Sequence, residues 1–183
     1  NSPPTALCLT CHDKKPFQGA VTHAPVADGQ CIQCHNPHTS DQPRQLQAAV
    51  PQLCFTCHDK PQKDAKGVFL PPVKATFEDK QLVQHAPFAI GGCLMCHSPH
   101  AGPNYRLLVK PYPESFYTSF TKEKYFCFSC HSEKAFAEPR TMTDTEFRNG
   151  NLNLHYRHVN RKKGRACRAC HDHHGDKYPK LIR

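Results

Sequence analysis

All 12 cysteines of this 183-residue chain fall into one five-residue word, Cys-x-x-Cys-His, written six times. The words are Cys8/Cys11/His12, Cys31/Cys34/His35, Cys54/Cys57/His58, Cys93/Cys96/His97, Cys127/Cys130/His131 and Cys167/Cys170/His171. Two thiols three positions apart can add to the two vinyl groups of a porphyrin as thioethers, while the adjoining imidazole binds the iron from one face. Zinc knuckles and disulfide frameworks also use paired cysteines. Neither requires a histidine after every second cysteine. With 14 histidines in 183 residues, chance would put one at all six positions on the order of once in five million. The spacing therefore predicts six covalently attached haem c groups, with the six word histidines as proximal iron ligands.

Composition agrees only if those cofactors form the interior. Leu, Ile, Val and Phe make up about 19% of the chain, beside 17 prolines and a net charge of +9, values that otherwise read as disorder. Six flat apolar macrocycles would supply the missing core, with about 30 residues to wrap each one. The expected fold is short helices at the words and extensive irregular coil round a haem core, with essentially no sheet. The apo chain should be unfolded. The basic charge does not point to nucleic acid. Six ferric porphyrin centres each add one positive charge and twelve propionates remove twelve, bringing +9 to about +3 oxidised and about −3 reduced. No apolar run reaches the 18 or so residues of a transmembrane helix, and no signal peptide is visible. The start at Asn1-Ser2-Pro3 suits a processed N-terminus, and covalent haem attachment outside the cytoplasmic membrane suits a periplasmic or extracellular location.

The words alternate. Words 1, 3 and 5 place apolar residues on both sides of the first cysteine and a hydroxyl residue before the second. Words 2, 4 and 6 carry another histidine three residues after the first, at His38, His100 and His174. Upstream of each lies one more, at His23, His85 and His158, the first two inside His-Ala-Pro. A base recurs downstream at Arg44, Arg106 and Lys180, each with an apolar residue two positions on. This repetition divides the chain into three two-haem modules, residues 1–48, 49–110 and 111–183. Phe77–Val83 reads as a short helix with Thr76 as N-cap, inside an otherwise loop-like insertion.

The Cys-x-x-Cys-His-x-Pro-His words at Cys31–His38 and Cys93–His100, with their His-Ala-Pro partners, resemble the doubled Cys-x-x-Cys-His family of multihaem cytochromes c, common in metal-respiring bacteria. The resemblance covers nearly the whole chain and implies electron transfer between stacked haems ligated by two histidines. Module 3 departs from the pattern, with Asp172-His173 in place of x-Pro and Val159-Asn160 after His158.

Repeat register selects His23, His38, His85, His100, His158 and His174 as distal ligands and leaves His155 and His173 spare. Met95 lies inside a word and Met142 stands alone, which argues against methionine ligation. A histidine three residues after a proximal one lies on the same side of that haem and cannot reach its other face. His38 is therefore expected on the Cys8/Cys11 haem, His100 on the Cys54/Cys57 haem and His174 on the Cys127/Cys130 haem. The upstream histidines would then serve the second haem of each module. Arg44, Arg106 and Lys180 read either as propionate partners or as solvated charge. Arg161–Arg165 reads as a solvated loop that would also suit an acidic redox partner.

With every iron twice ligated no position is open for substrate, so the expected function is electron transfer through low-potential haems, with no catalytic residues. The contexts it fits are a carrier, a component of an outer-membrane conduit, or an extracellular wire built of further copies of the chain. The alternative is a haem redox enzyme with one five-coordinate haem in module 3.

Overall fold

Prolines at 17 positions and so few large apolar residues leave no stretch able to sustain a long amphipathic helix. The computed structural model describes residues 4–64 and 66–183; the Asn1-Ser2-Pro3 start lies outside them. Seven short helices are present among the described residues: α1 Pro4–Cys8, α2 Ala24–Ala27, α3 Gln52–His58, α4 Lys74–Glu78, α5 Ala86–Ala89, α6 Lys134–Ala137 and α7 Leu154–Val159. The expected short helices and long connections are found. Small sheets, which the sequence did not lead us to expect, are found as well. Ten two-residue strands, β1 Val21–Thr22, β2 Gln62–Lys63, β3 Phe69–Leu70, β4 Val83–Gln84, β5 Ala101–Gly102, β6 Tyr117–Thr118, β7 Arg148–Asn149, β8 Leu152–Asn153, β9 Gly164–Arg165 and β10 Gly175–Asp176, pair into five antiparallel ladders.

The chain divides into two compact units, residues up to Val109 with Asp172–Arg183, and Lys110–His171. In the first, β1 pairs with β5, β4 with β10, and β2 with β3. The first two ladders join segments far apart in sequence, and each continues into a histidine: the His23 amide donates to the His100 carbonyl and the His85 amide to the His174 carbonyl, both at 2.9 Å. An aromatic run of Phe55, Phe77 and Phe88 packs beside them, with ring centroids 5.2 and 5.5 Å apart. The expected helix over Phe77–Val83 is displaced. Helix α4 ends at Glu78, Thr76 lies inside it, and the Asp79 carboxylate accepts from the Gln81 amide in a turn. The Gln84 side chain donates to the carbonyls of Thr76, Phe77 and Asp79, satisfying the groups a helix end leaves open.

In the second unit β6 pairs with β9 and β7 with β8. Helices α6 and α7 are tied together by Asn153, which is fully buried. Its amide donates to the Ala135 and Glu138 carbonyls, and its oxygen caps α7 by accepting from the Tyr156 amide.

Candidate functional site

Each word is built on one turn of helix or 3-10 helix. Word 3 lies within α3, while Cys31–Gln33, Cys93–Met95, Phe126–Ser129 and Cys167–Ala169 are 3-10 turns. In five words the histidine amide donates to the carbonyl of the first cysteine at 2.9 or 3.0 Å. One turn of this kind brings both thiols and the imidazole to the same side of the backbone, the arrangement that attachment requires. All 12 cysteines are free thiols. Among the described residues no cluster of three or more His, Cys, Asp or Glu side chains is placed to hold a metal ion.

The imidazoles instead come in facing pairs. A metal–imidazole bond of about 2 Å, and about 1 Å from ring nitrogen to ring centre, put two rings on opposite sides of one iron about 6 Å apart. His23 and His58 stand 6.1 Å apart, His35 and His100 6.1 Å, His97 and His174 6.3 Å, and His155 and His171 6.5 Å. Each pair holds one proximal histidine of a word and one histidine from outside the words, so the residues present fit haem iron ligated by two histidines.

In every pair one ring is anchored through Nδ1. His23 Nδ1 bonds the Pro99 carbonyl, His35 Nδ1 the Arg44 carbonyl and His97 Nδ1 the Arg106 carbonyl, each at 3.0 Å. His155 Nδ1 bonds the Thr145 hydroxyl at 2.8 Å. A carbonyl only accepts, so Nδ1 carries the proton in the first three and Nε2 keeps its lone pair for a metal. Burial holds His23, His58, His97, His100 and His155 below the ordinary histidine pKa and pushes His174 to about 4. At neutral pH all six are uncharged, as ligation demands. Phe17 packs 4.9 Å from His100, Phe88 4.9 Å from His174 and Phe136 4.8 Å from His155, apolar walls the repeat pattern did not reveal.

The ring pairs differ from the expected crossing within each module. His100 faces His35 rather than His58, His174 faces His97, and His23 faces His58. The cause is the β1–β5 ladder, which sets His23 and His100 side by side and so joins one module's words to the next module's histidines. In none of these pairs does a histidine face the word histidine three residues before it. At word 6 the ring opposite His171 belongs to His155, which register left spare. His158, on the same helix, is exposed, with Nδ1 bonded to the Leu154 carbonyl at 2.7 Å. His12 and His38 are exposed, and among the described residues no imidazole stands opposite either. His85 sits beside the β4–β10 ladder, and His131 closes the turn of word 5. His173 is half-buried, and desolvation pushes its pKa to about 4.

The recurring bases act through their backbone. Arg44, Arg106 and Lys180 have φ of 58°, 56° and 58°, and the residue after each is also left-handed. At Arg44 and Arg106 this turns the carbonyl onto a proximal histidine, and Leu46 and Leu108 close a bridge to that same histidine. The side-chain spacing was visible in the sequence; its use by the main chain was not.

The first cysteines of paired words also meet. Cys8 shares a hydrogen bond with Cys31, Cys54 with Cys93 and Cys127 with Cys167. Cys34 lies close enough to Cys57 for their charges to interact. The Cys54 hydrogen bond draws Cys93 down to about 7, while Cys54 itself is driven up. In the second unit the Tyr112 hydroxyl accepts from the Arg168 amide at 2.8 Å and bonds the Cys167 sulfur.

A family model described as the doubled CXXCH motif matches residues 23–63 and 85–136, together just over half of the chain. Among curated proteins, multihaem cytochrome MtrA of Shewanella baltica (strain OS185) is 28% identical over 130 residues. That alignment covers 70% of this chain and 32% of the relative, so the chain spans about a third of its length.

Proposed function

The chain belongs to the doubled CXXCH motif family of multihaem c-type cytochromes, and on that premise we propose that it transfers electrons through six covalently bound, low-potential haems. When bound, the haems supply reversible one-electron chemistry at iron. The polypeptide's part is attachment, ligation and spacing. Cys8 and Cys11, Cys31 and Cys34, Cys54 and Cys57, Cys93 and Cys96, Cys127 and Cys130, and Cys167 and Cys170 would hold the six groups, with the adjoining histidines on the irons. His23, His100, His174 and His155 would close the second faces of words 3, 2, 4 and 6.

The contact between attachment cysteines carries this reading. In the first unit they join word 1 to word 2 through Cys8 and Cys31 and word 3 to word 4 through Cys54 and Cys93, while Cys34 of word 2 lies within electrostatic range of Cys57 of word 3. In the second unit they join words 5 and 6 through Cys127 and Cys167. Haems attached at cysteines this near one another would be held close, which is the requirement for fast electron exchange. The three-module repeat is then a repeat of ligation, in which each module completes sites begun by its neighbour.

Two imidazole ligands lack the potential-raising effect of methionine, so midpoints below zero are expected. The enzyme alternative in module 3 loses ground at word 6, where His155 stands opposite His171. Attachment chemistry favours a periplasmic or extracellular location, with other redox proteins, an outer-membrane conduit or further copies of the chain as partners. Among the described residues no helix is long and apolar enough to cross a membrane. Intact-mass measurement with a spectroscopic redox titration tests the reading. Six haem additions and negative midpoints are expected; fewer haems, or midpoints mostly above zero, would overturn it.

A further inference from the structure

His23, His35, His97, His155 and His158 each have Nδ1 bonded to a carbonyl or hydroxyl oxygen. The first four face another imidazole at the spacing of two ligands on one iron. His158 has the same preparation, because a carbonyl acceptor fixes the proton on Nδ1 and leaves Nε2 as the lone-pair donor. Its side chain is exposed, its ring lies 5.7 Å from that of Phe147, and among the described residues no imidazole stands opposite it. Among the described residues the complementary case is His12, a proximal histidine that is exposed and faced by no ring.

The repeat says which histidine His12 should receive. The upstream histidine of module 1, His23, faces the first word of module 2, at His58. An upstream histidine therefore serves the first word of a following module, and His158 is the upstream histidine of module 3. Among the described residues, His12 is the first-word histidine whose ring faces no other ring and makes no hydrogen bond.

We propose that His158 of one copy of this chain is the sixth ligand of the haem on Cys8 and Cys11 of a second copy. The inference rests on the haem reading above and names the partner of that site. The two surfaces differ, so the contact is head-to-tail. It either closes a ring or propagates as a filament. No bond other than a reversible iron–nitrogen bond forms, and the neutral Nε2 needs no proton transfer. His155 at word 6 is compatible with this, since its ring stands opposite His171 while His158, one turn on and against the same Phe147 ring, stays exposed.

Light scattering and ferric spin state, followed together over a dilution series of the haem-loaded protein, test the proposal. Assembled protein should be entirely low-spin. Dilution to monomer, or His158→Ala, should turn about one-sixth of the haem high-spin and abolish assembly. Mixing His158→Ala chains with His12→Ala chains should restore one contact, seen as a heterodimer whose Cys8/Cys11 haem is low-spin. His38→Ala should change neither readout. A monomer with every haem low-spin would overturn the proposal. So would His158→Ala protein that assembles normally, or loss of the low-spin signal on replacing His38 instead. One haem high-spin even in assembled protein would also overturn it and mark that haem as open to substrate. Absence of covalent haem by mass would be a failure of the haem reading itself, distinct from all of these.

Discussion

Thr145 shows how a residue outside any motif can set a ligand. Its hydroxyl holds Nδ1 of His155, where the other three anchors are backbone carbonyls. A carbonyl cannot be deleted by substitution, so this is the one anchor that mutation can remove cleanly. Outer-sphere partners of ligating histidines typically contribute about 10- to 100-fold in metal affinity. Thr145→Val should leave the haem on Cys167 and Cys170 low-spin but make its sixth ligand easier to displace by about that factor. Cyanide titration of the ferric protein measures this; unchanged cyanide affinity would remove His155 from that iron. Little of this was legible beforehand. Register favoured His158 because repeats were compared position by position, whereas helix α7 puts His155 toward His171. The Cys-x-x-Cys-His words were legible because the pattern sits inside five residues and tolerates no spacing change. At Arg44 and Arg106 the recurring side chain was visible, but the left-handed backbone that turns their carbonyls onto His35 and His97 leaves no trace in residue type.

Two-residue ladders do the work that long strands do elsewhere, and they explain why ligand pairing could not be read from sequence. Such strands have no alternating pattern to detect, yet β1–β5 decides which histidine meets which word. Its tolerance is narrow at one glycine. A Cβ on Gly19 would stand 2.6 Å from the Gly102 carbonyl oxygen and 2.7 Å from its nitrogen, backbone atoms that cannot swing aside. A Cβ on Gly102 would meet nothing within 4 Å. Gly19→Ala should therefore displace His23 and His100 together and weaken sixth-site ligation at words 2 and 3 at once, although Gly19 touches no iron. Gly102→Ala should be spectroscopically silent. Magnetic circular dichroism of the ferric protein counts the low-spin haems in each variant. Loss at one word only, or equal effects from the two glycines, would break the link between this ladder and the two sites.

The polypeptide alone is thinly packed. Among the described residues only Phe55, Phe88, Ala101, Tyr125, Val159 and Ala166 are buried apolar positions. The accessible surface is 12546 Å², against roughly 9,000 Å² for a compact folded chain of this mass. Ordering a residue costs about 1–2 kcal/mol of conformational entropy, and six buried side chains cannot oppose that over 183 residues. On the proposed reading the balance would come from apolar macrocycles held by covalent and metal–ligand bonds, and attachment would be a folding event as well as a functional one. Chain produced without haem attachment should accordingly show neither a cooperative thermal transition nor protected backbone amides, while the haem-loaded protein should show both. Differential scanning calorimetry with hydrogen exchange on the two forms decides it. A cooperative transition in the haem-free chain would mean that the short ladders and the Phe55–Phe77–Phe88 cluster suffice for folding. Replacing both cysteines of one word should give an intermediate result. Serine at Cys54 and Cys57 removes the attachment that lies between words 2 and 4 in the run of cysteine contacts, and it leaves His23 opposite a histidine with no iron between them. That variant should lose more stability than serine at Cys8 and Cys11, whose cysteines meet a neighbour on one side only.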